Sequence, residues 1–231
     1  IARSKVWEPL FRGLAKLREQ GYKISFMCEA DLLCGNQKDF LKLLAAAGCN
    51  HMFMGVESMN PESLKDAGKR QNHVEEYAEL WRRCAELGIS VHAGYMIGFE
   101  HDTPESVMRD IDTLFETGAD IASFFVLTHI PGSENHVRFV VGGGRLEPDF
   151  NRFDSFQPVF EHQTMSRQEW VDTFNRAWRR FYSVKNMVHS LKRRKDLFWF
   201  LLKKYLFYRW SFNTERMHPM IAGFYRYPSY S

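Results

Sequence analysis

The sequence has 231 residues, of which 45% are hydrophobic and 26% charged, a composition typical of globular domains rather than disordered chains. Its longest apolar runs are about half a dozen residues, far short of the roughly 20 that a transmembrane helix needs. No basic-then-apolar leader opens the sequence, so we expect no signal peptide and a cytoplasmic location. Residues 1–165 carry 17 Lys/Arg and 24 Asp/Glu, a net charge of −7, whereas residues 166–231 carry 14 and 4, a net charge of +10. This contrast predicts two structural regions.

The first region repeats one pattern, in which a helix ends in glycine and a β-prone run follows at once. The predicted helix over residues 1–20 leads into a strand over 22–28, and the same order precedes strands over 50–56, 89–97 and 121–128. Glycine suits the left-handed end of a helix because it has no Cβ to clash. The near-continuous apolar strands are typical of a parallel sheet that is buried on both faces.

This alternation predicts an α/β fold, a partial β/α barrel with parallel strands, over residues 1–135. Four strands are half of an eight-stranded barrel and cannot close one, so we expect the missing half to precede this chain. Glycine and proline clusters predict a connecting loop region over 136–165. Residues 166–231 are predicted to form a C-terminal helical extension, with helices over 166–191 and 194–210.

The C-terminal extension mixes basic and aromatic residues, most densely over 192–210. Such a segment can pack against the barrel, lie on an anionic membrane surface or contact nucleic acid. The apolar residues form blocks around Lys203 and Lys204, which favours packing against the barrel over the other two interpretations.

The chain has four cysteines, at irregular intervals and without a C-x-x-C pair. Metal and cluster sites use closely spaced thiolates. We therefore predict buried, reduced thiols and no metal site formed by Cys28, Cys34, Cys49 and Cys84.

Candidate functional residues follow the predicted strands, because the carboxyl ends of parallel strands meet at one edge. Glu57 and Ser58 end the second strand and offer oxygens to ribose hydroxyls or an amine; the alternative is that they cap the next helix. Gly94 and Gly98 lie four apart near the end of the third strand, where exposed backbone can support a flat ring; the alternative is tight helix–sheet packing. Arg70 can pair with a carboxylate or belong to a solvated basic loop.

Several phrases together resemble the radical S-adenosylmethionine (SAM) family. They are Phe-Met-Gly-Val-Glu-Ser over 53–58 with Gly-Lys-Arg-Gln-Asn over 68–72, the run His-Ala-Gly-Tyr-Met-Ile-Gly-Phe-Glu over 92–100, and Leu-Thr-His-Ile-Pro-Gly over 127–132. The resemblance covers roughly residues 1–190. More narrowly, it is to the branch that commonly carries an N-terminal cobalamin-binding domain.

The resemblance implies a set of SAM-contacting residues at the strand ends. On the ribose, methionyl and carboxylate side they are Glu57, Ser58 and Arg70. On the adenine side they are Gly94, Ile97, Gly98, Glu100, Thr128 and Pro131.

The resemblance also implies cofactors. The family binds a 4Fe–4S cluster through a C-x-x-x-C-x-x-C loop, which this sequence lacks, so the cluster ligands are expected upstream. The whole enzyme would cleave SAM to methionine and a 5′-deoxyadenosyl radical, or transfer a methyl group from cobalamin to a substrate. Two alternatives stay open: a cluster-free barrel that acts as a binding or scaffold module, and a peripheral membrane protein that uses its basic C-terminal helix. Neither the substrate nor the catalytic residues can be assigned from the sequence.

Overall fold

A computed structural model describes residues 4–37, 39–66, 68, 73–215 and 218–219. Within these residues the strands are β1 (Phe26–Glu29), β2 (Cys49–Glu57), β3 (Ser90–Ile97) and β4 (Ile121–Val126). The α-helices are α1 (Ser4–Glu19), α2 (Phe40–Ala47), α3 (Pro61–Asp66), α4 (Val74–Glu86), α5 (Pro104–Thr117), α6 (Glu134–Val141), α7 (Arg167–Phe181), α8 (Val184–Arg193) and α9 (Phe198–Trp210).

The strands form one sheet in the order β1-β2-β3-β4, and every neighbouring pair is parallel. Gly55 of β2 lies beside Gly94 of β3, which lies beside Ser123 of β4. Consecutive parallel strands joined by helices confirm the predicted α/β fold.

The two faces of the sheet have different neighbours, because side chains alternate along a strand. On the face that α5 and α7 cover, the Tyr95 hydroxyl donates to Asp110 of α5, and Phe124 packs edge-on against Trp178 of α7 at 5.1 Å. The opposite face is called the inner face here. Its residues are His51, Phe53, Gly55 and Glu57 on β2, Ser90, His92, Gly94 and Met96 on β3, and Ser123 and Phe125 on β4.

Local capping defines the helix boundaries much as the sequence indicates. Gly48 and Gly118 have φ of 108° and 119° and end α2 and α5. A capping box between Thr103 and Ser106, with Pro104 following the cap, begins α5. These signals are readable from the sequence because each depends on fewer than five neighbouring residues.

Two predicted segments differ from the structure. The connecting region contains a helix, α6, whose N-cap Ser133 accepts a hydrogen bond from the His136 amide. The predicted helix over 166–191 is two helices, α7 and α8. The break falls where the Tyr182 hydroxyl bonds the backbone of Ala122 in β4 and Ser183 caps the start of α8.

The C-terminal extension packs on the edge and inner face of the sheet. The Tyr182 hydroxyl donates to the Ala122 carbonyl at 2.6 Å and accepts from the Ala122 amide at 3.0 Å, which occupies backbone groups on the outer edge of β4. On α9, Phe200 contacts His51 and Tyr208 contacts His92. The packing of this helix against the barrel, favoured by its apolar blocks, is therefore observed.

A buried histidine pair spans the inner face beneath α9. Hydrogen bonds join His51 to Ser90 at 3.2 Å and to His92 at 3.3 Å, and join His92 to Ser123 at 2.8 Å. Burial, reinforced by the charge of Lys204, lowers the pKa of His51 to about 4. Burial lowers the pKa of His92 well below its ordinary value, and the nearby His51, Lys204 and His218 reinforce the shift. Both rings are therefore neutral near pH 7.

We expect this pair to make the fold sensitive to acid. The unfolded chain protonates its histidines near pH 6.5, whereas folded His51 stays neutral to about pH 4. As pH falls below about 6.5, the free energy of unfolding should therefore fall, by up to about 1.4 kcal/mol per pH unit for each such histidine. Urea unfolding at about pH 7 and about pH 5 measures this slope. His51→Gln should flatten this slope relative to the original protein; an unchanged slope in the variant would refute this explanation.

Candidate functional site

The carboxyl ends of the four strands lie at one edge of the sheet, because all strands are parallel. Glu29 ends β1, Glu57 ends β2, and Glu100 lies in the turn that follows β3. The expectation that Glu57 and Glu100 belong to the same edge therefore holds. This edge is the candidate site.

Glu57 has an unusual backbone at the end of β2. The pairing of β2 with β3 shifts between Gly55 and Glu57, and Glu57 has φ of +67°. A left-handed conformation costs a non-glycine residue about 1–3 kcal/mol and is concentrated at functional sites. A Cβ at Gly55 would lie 2.6 Å from Glu57 Oε1. The carboxylate therefore folds back over the backbone of Gly55, and only glycine leaves room for it there.

Ser58 is placed differently from Glu57, although the sequence paired them. Ser58 is fully buried, its hydroxyl accepts from the Asn60 amide at 3.0 Å, and its amide donates to the Val56 carbonyl. It shapes the turn before α3. The helix-start alternative therefore describes Ser58, whereas Glu57 remains a candidate for ligand contact.

Gly94 accommodates an aromatic side chain of this chain. A Cβ at Gly94 would lie 2.6 Å from Cζ of Phe53. The half-buried Phe53 ring thus leans across the inner face where a flat ligand was predicted to meet bare backbone. Phe53 was missed as a candidate in the sequence because apolar residues in a strand usually belong to the core.

Gly98 accommodates Trp170 of α7. Gly98 has φ of +121°, and a Cβ there would lie 1.9 Å from Trp170 Cζ2. The Trp170 indole donates to the Ile97 carbonyl at 3.0 Å. The tight-packing alternative therefore describes Gly98, and the backbone of Ile97 is held by a helix far along the chain.

The turn after Gly98 is held from inside by Asp102. This carboxylate accepts from the amides of Gly98 and Phe99 at 2.8 and 3.0 Å. Burial raises the pKa of Asp102 to about 6, and those two amide bonds oppose the shift. His162 also bonds the Phe99 carbonyl at 2.8 Å. Glu100 is thus presented on a fixed, exposed turn. The signal for Asp102, an acid four residues after Gly98, was visible but went unused.

The other predicted residues have mixed placements. The Thr128 hydroxyl is buried and donates to the Val126 carbonyl at 3.0 Å. Pro131 is exposed in the turn before α6. Between them, the His129 ring stacks on Phe139 at 4.4 Å. Arg70 lies outside the described residues.

The cysteines lie away from the ends of β2, β3 and β4 and remain thiols. Cys34, Cys49 and Cys84 are buried, and the Sγ atoms of Cys28 and Cys49 are 3.8 Å apart. Burial raises the pKa of Cys34 and of Cys84 to about 12, so neither supplies a thiolate at neutral pH. Within the described part of the chain, no cluster of three or more His, Cys, Asp or Glu side chains is arranged to bind a metal ion. These residues do not fit an iron–sulfur cluster.

Comparison with known proteins gives a family match over the first part of the chain. Residues 5–114 match the model of the Radical SAM superfamily. The chain is 22% identical over 223 residues to bacteriochlorophyllide d C-12(1)-methyltransferase of Chlorobaculum tepidum, which covers 94% of this chain and 45% of that protein. The chain spans less than half the length of the curated relatives it matches.

Solved structures show the same fold. The radical S-adenosylmethionine methyltransferase TsrM from Kitasatospora setae, solved with cobalamin and a 4Fe–4S cluster bound, matches with a TM-score of 0.50 and 23% identity over 72% of this chain and 34% of that chain. Coproporphyrinogen III oxidase (HemN) from Escherichia coli, a radical SAM enzyme, matches with a TM-score of 0.51 and 20% identity, over 78% and 36%. The predicted fold class is therefore confirmed, and the match over residues 5–114 supports the predicted family.

Proposed function

We propose that this chain, whose residues 5–114 match the Radical SAM superfamily model, is the later part of a radical SAM catalytic domain that binds the nucleoside and methionyl parts of SAM. The parent would be a longer cytoplasmic enzyme that performs radical or methyl-transfer chemistry. The partial match to longer relatives and the four-stranded open sheet both support this proposal.

The observation that carries the proposal is the conformation of Glu57. Its carboxylate lies at the strand-end edge over Gly55, and its backbone has a left-handed conformation that is unfavourable for a non-glycine residue. A fixed carboxylate at this edge is suited to accept hydrogen bonds from ribose hydroxyls or from an ammonium group. The neighbouring Phe53 ring offers a flat apolar surface on the same face, suited to stack on an adenine ring.

Two further residues, Trp170 and Asp102, hold the edge in position. Trp170 fixes the end of β3 through the Ile97 carbonyl, and Asp102 fixes the turn that presents Glu100. Such support keeps ligand-contacting groups within the narrow range of geometry that binding needs. SAM, when bound, supplies the radical or the methyl group that reaches the substrate. The cluster itself would be held by residues outside this chain, since the cysteines here do not fit it.

We predict that Glu57→Gln weakens SAM binding by the complete protein. Gln keeps the shape of the side chain but loses its charge and an acceptor, and charge-assisted hydrogen bonds contribute about 1.5–3 kcal/mol. The dissociation constant for SAM should rise roughly 10- to 100-fold. Isothermal titration of the anaerobically purified protein measures this change directly.

The matched control is Glu62→Gln, which removes an exposed carboxylate from the nearby helix α3 and should leave SAM binding unchanged. If both variants bind SAM as tightly as the original protein, Glu57 does not contact the ligand and the proposed site is wrong. A complete protein that binds no SAM at all would contradict the function itself.

A further inference from the structure

Helix α9 has one buried face and one exposed face. Leu201, Tyr205 and Tyr208, spaced by four and three residues, are 0–5% exposed and pack toward the sheet. The opposite face carries residues with the same helical spacing, which places them on one line along the helix. This outer stripe consists of Trp199, Lys203, Leu206 and Trp210.

The outer stripe exposes large apolar side chains. Trp199 is 69% exposed, Leu206 53% and Trp210 42%. Scattered apolar residues are ordinary on protein surfaces, but two tryptophans and a leucine on one line indicate a surface that another phase or molecule covers. Helix α9 therefore carries large apolar side chains on its outer face as well as on its buried face.

The charge of the region indicates what covers the stripe. Helix α9 contains three basic residues and no acidic residue, and Lys203 is the one that lies within the outer stripe. Lys192 near the end of α8 and Lys195 before α9 are also exposed, whereas the acidic Asp196 is paired with Arg194. Basic side chains around exposed tryptophans complement an anionic lipid surface, where Trp prefers the headgroup level and Lys meets the phosphates.

We propose that the outer stripe of α9 lies on the surface of an anionic lipid bilayer. The 13-residue helix is about 20 Å long and would lie in the plane of the interface, with its stripe among the headgroups and its other face on the sheet. No described helix is long and apolar enough to cross a bilayer. The stripe is a binding surface, distinct from the strand-end site.

Vesicle sedimentation of the complete protein tests the proposal. Vesicles of phosphatidylcholine mixed with phosphatidylglycerol should sediment the protein, whereas vesicles of phosphatidylcholine alone should bind it at least tenfold more weakly. Binding should weaken as salt is raised, because salt screens the lysine charges. Equal binding to both vesicle types, or none to either, would overturn the proposal.

Two variants locate the contact. Trp199→Glu should lower vesicle binding at least tenfold, and Lys203→Glu, an exposed change that leaves the buried face intact, should lower it roughly fivefold or more. The matched controls are Phe150→Glu, at a side chain that is 63% exposed, and Lys42→Glu on α2. Equal losses in the controls would refute the stripe as the contact. A concentration-dependent dimer that Trp199→Glu abolishes would also refute it, since a second copy of the chain would then cover the stripe.

Discussion

Replacing Arg194 with alanine should destabilise the chain by up to about 3–5 kcal/mol, because the buried Asp120 carboxylate would lose its closest cation and keep only Arg193, at 3.5 Å. Arg194 is 4% exposed and Asp120 is 1% exposed, and Nη1 of the arginine lies 2.6 Å from Oδ2 of the aspartate. Burial raises the pKa of Asp120, and Arg194 opposes that shift. The pair joins the end of α8 to the start of β4. Its loss should also loosen the helices that follow, since this contact anchors them to the sheet.

A surface ion pair provides the matched control for Arg194. Arg180 bonds both oxygens of Asp112 at 2.6 Å, but its side chain is 57% exposed. Arg180→Ala should therefore cost less than about 1 kcal/mol. Urea denaturation of both variants measures the difference. Similar losses would show that burial does not set the value of the Arg194 contact, contrary to this explanation.

Replacing Gly98 with alanine should cost several kcal/mol, because two separate penalties meet at this residue. A side chain at φ of +121° is strained, and its Cβ would overlap the Trp170 ring. Backbone strain and overpacking each cost about 1–3 kcal/mol. Relief of the overlap would push Trp170 away from the Ile97 carbonyl, so the turn that carries Glu100 should lose its support as well. Urea denaturation measures the loss, and intrinsic tryptophan fluorescence reports the displaced ring.

Gly88 provides a control that carries the backbone strain without the overlap found at Gly98. Gly88 has φ of +71°, and no heavy atom lies within 4 Å of a Cβ placed there. Gly88→Ala should cost only the backbone strain, about 1–3 kcal/mol. Adding Trp170→Ala to Gly98→Ala should recover part of the cost of overlap. An equal loss for Gly88→Ala and Gly98→Ala would mean that the Trp170 contact contributes nothing.

The sheet could be predicted because its signals are local. Each strand follows a glycine-ended helix and has a near-continuous apolar pattern, so the number, order and direction of the strands followed from short segments. The positions of Glu57 and Glu100 at one edge followed from the parallel direction alone. The start of α5 was equally readable, since Pro104 and its capping residues are neighbours in the chain.

The contacts that fill and support the site could not be predicted, because they join distant residues. Trp170 meets the Ile97 carbonyl across 73 positions, and Arg194 meets Asp120 across 74. No local pattern marks such pairs. For this reason Gly98 was interpreted as a ligand-facing residue, although an indole ring fills the space beside it. The left-handed conformation of Glu57 was likewise invisible, since glutamate has no intrinsic preference for it.

Photocrosslinking with a SAM analogue tests the central claim most directly. An analogue that carries a photoreactive group on adenine would be bound to the complete anaerobic protein, irradiated, and mapped by peptide mass spectrometry. The proposed site predicts crosslinks in the segments that contain Phe53, Glu57 and Glu100, with competition by unlabelled SAM. The account would be contradicted if the crosslinks that unlabelled SAM suppresses lay only in other segments. One such place is the cavity of about 270 Å³ between α4 and the loop after β1.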